Sequence, residues 1–297
     1  MGAYDPHLSN VSLLMPMEGA NNQTAFVDVS PTPKLITRYG DTKISTAQSK
    51  WGFGSGYFDG NGDYLTVAHD ATLLLDGDFT VEWHVRLSAY ALANTWPRIF
   101  AKHEDVSGGM ICFYDSAGWC IAKFNGSTTI VVGTLLLNSW AHVAICRAGT
   151  TVTTFLNGTL KNSATVSGTA GGSNNIYLGQ SYNGGWNTAG YLQDLRITKG
   201  VARYTANFTP PGRLVVPTFP DTRTPIAQSG TVTVSGNGGA DIVAIHDASN
   251  RQLVTTAIPD EDTGAWTASV PPGDYTISYF AAGCRPVTHG PYPVAPS

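Results

Sequence analysis

One polar, glycine-rich segment carries the side chains best suited to ligand recognition. Residues 180–188 read Gln-Ser-Tyr-Asn-Gly-Gly-Trp-Asn-Thr. A sugar ring has an apolar face that stacks on Trp or Tyr, while its hydroxyls bond to amide groups. Because loops on a rigid scaffold often carry binding function, the segment predicts a sugar-type site, the alternative being a packed surface lid. The candidate ligand-binding residues are Gln180, Tyr182, Asn183, Trp186 and Asn187.

Other aromatic residues divide into binding candidates and core candidates. Tyr90 and Trp96 lie in a connection between predicted strands, which makes them the next candidates for ligand contact. Trp83 and Trp140 instead sit among polar neighbours inside predicted strands, which indicates core positions. The sequence contains no G-x-S-x-G, H-E-x-x-H, P-loop or G-x-G-x-x-G motif, so serine hydrolase, zinc protease and nucleotide sites have no support.

Composition narrows the class of protein. The chain has 297 residues, a formal charge of -4, and only 13% charged residues, where about 25% is usual. A nucleic-acid partner is therefore excluded, and the absence of an apolar run of about 18 residues excludes membrane insertion. The four cysteines match no zinc spacing, and we expect buried thiols, with a Cys112–Cys120 bridge across a hairpin as the alternative.

The pattern along the chain predicts many short strands. In residues 79–87, Phe, Val, Trp, Val and Leu alternate strictly with polar side chains, which is typical of a half-buried strand. Asn157-Gly158 tolerates the positive φ angles of a tight hairpin, so the segments on either side should pair. Residues 59–63 predict a turn, since Tyr64 occupies the position where a calcium-binding loop needs glycine. Together these patterns predict an all-β, antiparallel β-sandwich.

Prolines divide the chain into two predicted domains. Residues 1–12 form an N-terminal segment, and residues 13–212 form the first sandwich. A proline-rich linker covers residues 213–226, because proline is excluded from helices and central strands. Residues 227–297 contain four short alternating runs, which predict a second, small β-sandwich.

The order of segments in the first domain resembles a concanavalin A-like, laminin-G-type jelly roll over residues 13–211. The segments are Ser55–Gly60, Asp63–Leu65, Phe79–Trp83, Trp140–Ala144, Phe155–Gly158, Ile176–Gly179 and Tyr191–Ile197. Residues 194–211 are similar to the version found in bacteriophage tail proteins. In the second domain, residues 264–275 resemble the small immunoglobulin-like or carboxypeptidase-regulatory-like modules of surface proteins.

The resemblance implies a function. It implies a non-enzymatic phage tail protein, such as a tail-fibre component, that binds a bacterial cell-surface glycan or protein receptor and contacts other tail proteins. Docking of residues 1–12 onto another virion component is one option. It also implies a homotrimer and a place in the virion, outside the cell after lysis, which agrees with an N-terminus that lacks a signal-peptide pattern. Calcium is the cofactor that the resemblance suggests, held by Glu18, Asp28 and Asp194.

Two alternatives stay open. The chain could be a structural or decorating virion protein without receptor contact. A polysaccharide-degrading enzyme is disfavoured, because related glucanases resemble one another in a Glu-x-Asp-x-x-Glu strand that places two carboxyl groups on one face. The chain has four glutamates, and none lies in that pattern.

Overall fold

The computed structural model describes residues 5–102, 108–169 and 172–213 with their side chains, and beyond them the backbones of six strands between residues 226 and 294. The chain divides into two compact units, one formed by Asn10–Arg213 and the other by Met1–Ser9 with Leu214–Ser297. The domain limits given above stay predictions, and residues 214–225 of the predicted linker lie outside the described residues. No helix in the described part of the chain has the length and apolarity that a bilayer crossing needs.

The larger unit is built almost entirely of strands. Its described strands are β1 (Val11–Met15), β2 (Ile36–Tyr39), β3 (Lys43–Ser45), β4 (Ser55–Asp59), β5 (Tyr64–Val67), β6 (Phe79–Leu87), β7 (Arg98–Lys102), β8 (Met110–Tyr114), β9 (Trp119–Phe124), β10 (Thr128–Thr134), β11 (Ala141–Ala148), β12 (Thr151–Leu156), β13 (Thr159–Thr165), β14 (Ile176–Leu178) and β15 (Ala189–Lys199). Two short 3₁₀ helices, Leu8–Asn10 and Ala71–Leu73, accompany them. The predicted all-β class is confirmed.

Two antiparallel sheets pack face to face. The first has the order β13-β12-β11-β6-β15-β4-β3, and β1 also pairs with β15. The second has the order β10-β9-β8-β7-β14-β5-β2. Strand β15 pairs with β4 through residues 189–192 and with β1 through residues 195–198, and a bulge separates the two stretches. The architecture is an antiparallel β-sandwich of the jelly-roll type.

Strand β6 confirms the alternation expected for residues 79–87 on one face. Phe79, Val81, Trp83, Val85 and Leu87 all lie in the core between the sheets. The Trp83 ring stacks parallel to that of Phe100 from the opposite sheet, with 6.1 Å between the ring centroids. Trp140 was expected in the core as well, but it is only half-buried because it precedes β11 rather than lying in it.

The other face of β6 is also buried, which corrects the expectation of a half-buried strand. Residues 200–213, here called the covering segment, pack over the outer side of the first sheet. Its Ala202, Tyr204 and Phe208 cover a second apolar cluster formed by Ala144, Cys146 and Phe155. The rings of Tyr204 and Phe208 stack with their centroids 3.5 Å apart.

A charged network lies beneath the covering segment. The Glu82 carboxylate, on β6, accepts a hydrogen bond from Arg196 Nε at 2.8 Å and one from Tyr204 Oη at 2.9 Å, and it lies 3.1 Å from His142 Nε2. Burial alone would raise the pKa of Glu82, but the charge of Arg196 and the contact with His142 hold it well below its ordinary value. The carboxylate therefore stays ionised inside the protein.

The turn at Asn157-Gly158 is confirmed, since β12 and β13 pair on either side of it. Asn157 and Gly158 have φ angles of 52° and 76°. Close packing also requires glycine at position 158, because a Cβ there would lie 1.9 Å from the carbonyl oxygen of Phe208. The turn and the covering segment therefore fit only around a residue without a side chain.

The cysteines of the described region are buried free thiols, as expected. Cys112 and Cys120 have their Sγ atoms 3.4 Å apart without a bond between them, and Cys146 is the third. Cys284 lies outside the described residues.

Residues 214–297 of the smaller unit are described through their strands alone. These are β16 (Ile226–Gln228), β17 (Thr231–Thr233), β18 (Ile242–Asp247), β19 (Leu253–Ala257), β20 (Gly273–Phe280) and β21 (Val287–Val294). Strands β16 and β17 form one antiparallel pair, and the other four form a sheet in the order β19-β18-β20-β21. Residues 264–270, which carry much of the immunoglobulin-like resemblance, lie outside the described residues, so that family assignment stays a prediction.

The Glu82 network yields a stability prediction. Glu82→Ala should lower the free energy of unfolding by about 3–5 kcal/mol, because the buried Arg196 guanidinium loses its charged partner. Tyr204→Phe removes the hydroxyl's hydrogen bonds with Glu82 and Arg196 but keeps the ring stack and leaves the ion pair in place, so it should cost less, about 1.5–3 kcal/mol. Urea unfolding followed by tryptophan fluorescence measures both variants. Equal losses in the two would contradict a network centred on Glu82.

His84, next to this network, yields a pH prediction. Burial and the neighbouring His142 lower the pKa of His84 to about 3. In the unfolded chain His84 takes up a proton below its ordinary pKa of about 6.5, whereas in the native protein it stays neutral. The contribution of His84 to the free energy of unfolding is therefore fully present above that pH and decreases on acidification. Between pH 7 and pH 5 the loss should be about 2 kcal/mol. His84→Phe should flatten this part of the pH dependence of unfolding, while leaving the slope above pH 7 unchanged.

Candidate binding site

The polar segment singled out above forms the loop between β14 and β15. Thr188 ties its end to the sheet, since the Thr188 amide donates to the Gly179 carbonyl and its hydroxyl donates to the Arg98 carbonyl, both at 2.8 Å. Gly184 N donates to Ser181 O at 3.0 Å, which closes a turn within the loop. Trp186 has a φ of 48°, so its ring leaves the backbone in a direction that a standard extended strand would not give it.

Trp186 meets Trp96, which comes from the separate connection between β6 and β7. Their ring centroids are 5.9 Å apart and the ring planes are nearly perpendicular, at 85°. Both rings reach the surface, with relative exposures of 41% for Trp96 and 37% for Trp186. The structure thus brings two of the predicted candidates into one surface, which we call the tryptophan corner.

The two segments that carry Trp96 and Trp186 are uncharged. Residues 88–97 and 179–188 contain no Asp, Glu, Lys, Arg or His. The cation beneath the tryptophan corner is Arg98, which is 4% exposed and lies against the Trp186 ring. These two segments therefore offer a ligand indole rings, hydroxyls and amides.

The remaining candidate residues differ in how exposed their side chains are. Tyr182 and Asn183 are exposed on the same loop as Trp186. Gln180 is buried, and its Nε2 donates to Asn187 Oδ1 at 2.7 Å, so these two amides support the loop by bonding to each other. Tyr90 packs partly against the core and lies against Gly118, where a Cβ would meet its ring at 2.6 Å. The structure therefore gives Tyr90 a packing contact with the neighbouring hairpin.

The proposed calcium ligands do not form one ligand set. Asp28 is buried and its carboxylate accepts hydrogen bonds from the amides of Leu14, Ser30 and Lys34 at 2.8–2.9 Å. Burial raises the pKa of Asp28, and these amides oppose that rise. Its oxygens are thus used in holding the loop after β1, a local role that its position in the sequence did not reveal.

Asp194 and Glu18 are likewise engaged with neighbouring side chains. Asp194 lies in the bulge of β15 with a φ of 55°, and its Oδ2 accepts a hydrogen bond from Trp51 Nε1 at 2.7 Å. Glu18 accepts one from Gln193 Nε2 at 3.0 Å and lies 3.5 Å from the guanidinium of Arg213. These contacts join the N-terminal stretch of the unit to β15.

Within the described ranges, one group of three carboxylates does converge. Oxygens of Asp41, Asp59 and Asp63 lie within 4.8 Å of one another. The buried Asp63 accepts hydrogen bonds from the amides of Asp41 and Asp59 at 2.7 and 3.0 Å, and burial raises its pKa. The predicted turn at residues 59–63 is confirmed by this arrangement. Calcium binding itself stays a prediction.

Sequence reasoning missed two residues that shape the tryptophan corner, Arg98 and Phe113. Their positions depend on the pairing of β7 with β8, where Arg98 lies opposite Phe113. The one local signal was the closeness of Arg98 to Trp96 in the chain, and it does not show which ring the guanidinium contacts.

Comparison with known proteins agrees with the fold. Residues 59–203 match the family model described as the concanavalin A-like lectin/glucanases superfamily. None of the curated proteins compared with this chain matches it.

Three solved structures share the fold at low sequence identity. The botulinum neurotoxin serotype D binding domain has a TM-score of 0.53 at 14% identity, over 96% of this chain and 75% of that one. The binding domain of Paraclostridial Mosquitocidal Protein 1 has a TM-score of 0.54 at 10% identity, over 92% and 76%. The botulinum neurotoxin type G receptor binding domain has a TM-score of 0.50 at 12% identity, over 91% and 72%. With the family match and the two packed sheets, these likenesses identify the fold of the larger unit as a concanavalin A-like jelly roll.

Proposed function

We propose that the chain is a non-enzymatic binding protein that attaches to a carbohydrate on the surface of a bacterial cell. The observation that carries this proposal is the tryptophan corner, in which two exposed indole rings stand at 85°. One indole face can stack on the apolar face of a sugar ring, while the second indole limits the direction from which the ring enters. A binding role is supported by the names of solved structures with the same fold, which are called binding or receptor binding domains.

The two uncharged segments of the corner favour a neutral sugar. An acidic sugar would need an accessible cation, but residues 88–97 and 179–188 contain none and Arg98 is 4% exposed. Exposed hydroxyl and amide groups, such as those of Tyr182 and Asn183, are instead suited to sugar hydroxyls. The proposed ligand is therefore an uncharged part of a surface glycan.

The proposal includes a place in a phage tail, on the resemblance of residues 194–211. The partners would then be other tail proteins and a bacterial receptor, and the chain would form a trimer. Several copies would let a weak single site hold a cell, because linked sites raise the effective concentration of the second binding event. The same residues also serve the fold, since Tyr204 and Phe208 cover the first sheet.

A binding experiment tests the proposal. The full chain, fused to a fluorescent protein, is titrated onto a panel of bacterial strains that differ in their surface polysaccharide. Trp96→Ala and Trp186→Ala should each weaken binding about tenfold, which is about 1.4 kcal/mol and typical of a lost aromatic stack. Tyr39→Ala is the matched control, because Tyr39 has the same 41% exposure as Trp96 but lies on β2.

Other outcomes would point elsewhere. Equal binding by all three variants would keep a binding role and remove it from the tryptophan corner. Binding to no strain by correctly folded protein would favour the structural virion role. Release of reducing ends from a bound polysaccharide would indicate an enzyme.

Calcium enters the same experiment as a second condition. The segments that form the corner contain no carboxylate, so they lack the ligands that calcium prefers among side chains. Binding at the corner should therefore persist in the presence of a chelator. Loss of binding with the chelator, restored by added calcium, would show that a calcium site elsewhere in the chain controls the loop.

A further inference from the structure

Arg98 is in contact with both halves of the tryptophan corner. It is the first residue of β7, and its backbone amide donates to the Trp186 carbonyl at 3.0 Å. Its side chain returns toward the preceding connection, where Nη1 donates to the Trp96 carbonyl. One residue therefore joins the loop that carries Trp186 to the connection that carries Trp96.

The guanidinium group of Arg98 also lies close to two aromatic rings. Its central carbon is 4.3 Å from the centroid of the Trp186 ring and 5.1 Å from that of Phe113. Phe113 is half-buried on the side of β8 away from the core, since Met110, Cys112 and Tyr114 point inward. The guanidinium thus has an aromatic neighbour in the sheet and another in the loop.

This arrangement fixes the Trp186 ring more firmly than the loop could do alone. Gly184 and Gly185, which precede Trp186, both have positive φ angles and nothing lies within 4 Å of where a Cβ would be. The loop thus gives Trp186 little lateral packing on that side. A planar guanidinium stacks on an indole face and holds its orientation, whereas a lysine ammonium is a point charge without a plane.

We infer that Arg98 is the positioning residue of the tryptophan corner, and that it sets the perpendicular arrangement of Trp96 and Trp186 in the free protein. The consequence for binding rests on the proposed function. A surface that is already ordered loses less conformational entropy when a ligand arrives, so Arg98 raises affinity without contacting the ligand.

The arrangement of the rings can be measured without any ligand. Two indoles held close together at a fixed angle couple their electronic transitions and give an exciton couplet in far-ultraviolet circular dichroism. The full-length wild-type protein should show the couplet, and Trp96→Phe and Trp186→Phe should each abolish it. These two variants define the signal that belongs to the corner.

Variants of Arg98 then test the inference. Arg98→Met keeps the length and apolar stem of the side chain and should remove most of the couplet. Arg86→Met is the matched control, because Arg86 lies 5.8 Å from the ring of Tyr191 on the first sheet and should leave the couplet intact. A full wild-type couplet in Arg98→Met would overturn the inference.

Arg98→Lys covers the case in which Arg98→Met fails to fold. It keeps the positive charge but lacks the planar group, so the couplet should decrease while cooperative thermal unfolding is retained. A lysine variant with the wild-type couplet would also overturn the inference, since charge alone would then be enough to hold the rings.

Cell binding separates this inference from the proposed function. If both stand, the folded Arg98 variant binds about tenfold more weakly than wild type on the strains that the wild type recognises. If the couplet responds to Arg98 but no strain is bound, the positioning role stands and the glycan-binding function fails. If the Trp variants lose binding while the Arg98 variant keeps both binding and couplet, the function stands and the positioning role fails.

Discussion

The larger unit depends on the burial of strand β6 on both of its faces. One face contributes Phe79, Trp83 and their apolar neighbours to the core between the sheets. The other face places Glu82 under the covering segment, at 2.8 Å from Arg196. A buried carboxylate is costly unless it is paired and hydrogen-bonded, so the position of the covering segment is tied to the charges below it. The last part of the unit is therefore fixed by its central strand.

The same two-sheet frame explains how the tryptophan corner arises. Strand β7 starts at Arg98, just after the connection with Trp96, and β14 ends where the loop with Trp186 begins. Because β7 and β14 are antiparallel neighbours, the first residues of β7 lie beside the last residues of β14, at the same end of the two strands. Sheet topology thus brings together two tryptophans that are ninety positions apart in the chain.

The sequence predicted those features that depend on near neighbours. The alternation in residues 79–87 identified the core face of β6, and Asn157-Gly158 identified a hairpin, because both signals lie within a few residues. The alternation in β6 predicts that its polar face meets solvent. This prediction is wrong because the residues that cover the face lie more than a hundred positions further along the chain, where a local pattern cannot show them. Likewise, Trp96 and Trp186 were recognised separately as candidates, but their pairing and the role of Arg98 depend on strand order, which composition does not reveal.

The contacts of the acidic residues could not be predicted from the local sequence either. Asp28 was selected as a calcium ligand on resemblance, but three backbone amides converge on its carboxylate, and such contacts follow from the path of the chain. Asp41, Asp59 and Asp63 meet because the β2–β3 and β4–β5 connections, which both cross from one sheet to the other, lie side by side, whereas the sequence of residues 59–63 predicts only a turn. In both cases a carboxylate serves the backbone around it. The tryptophan corner differs in that both of its indole rings stay exposed, at 41% for Trp96 and 37% for Trp186, and this exposed apolar surface makes it the stronger candidate for a ligand site.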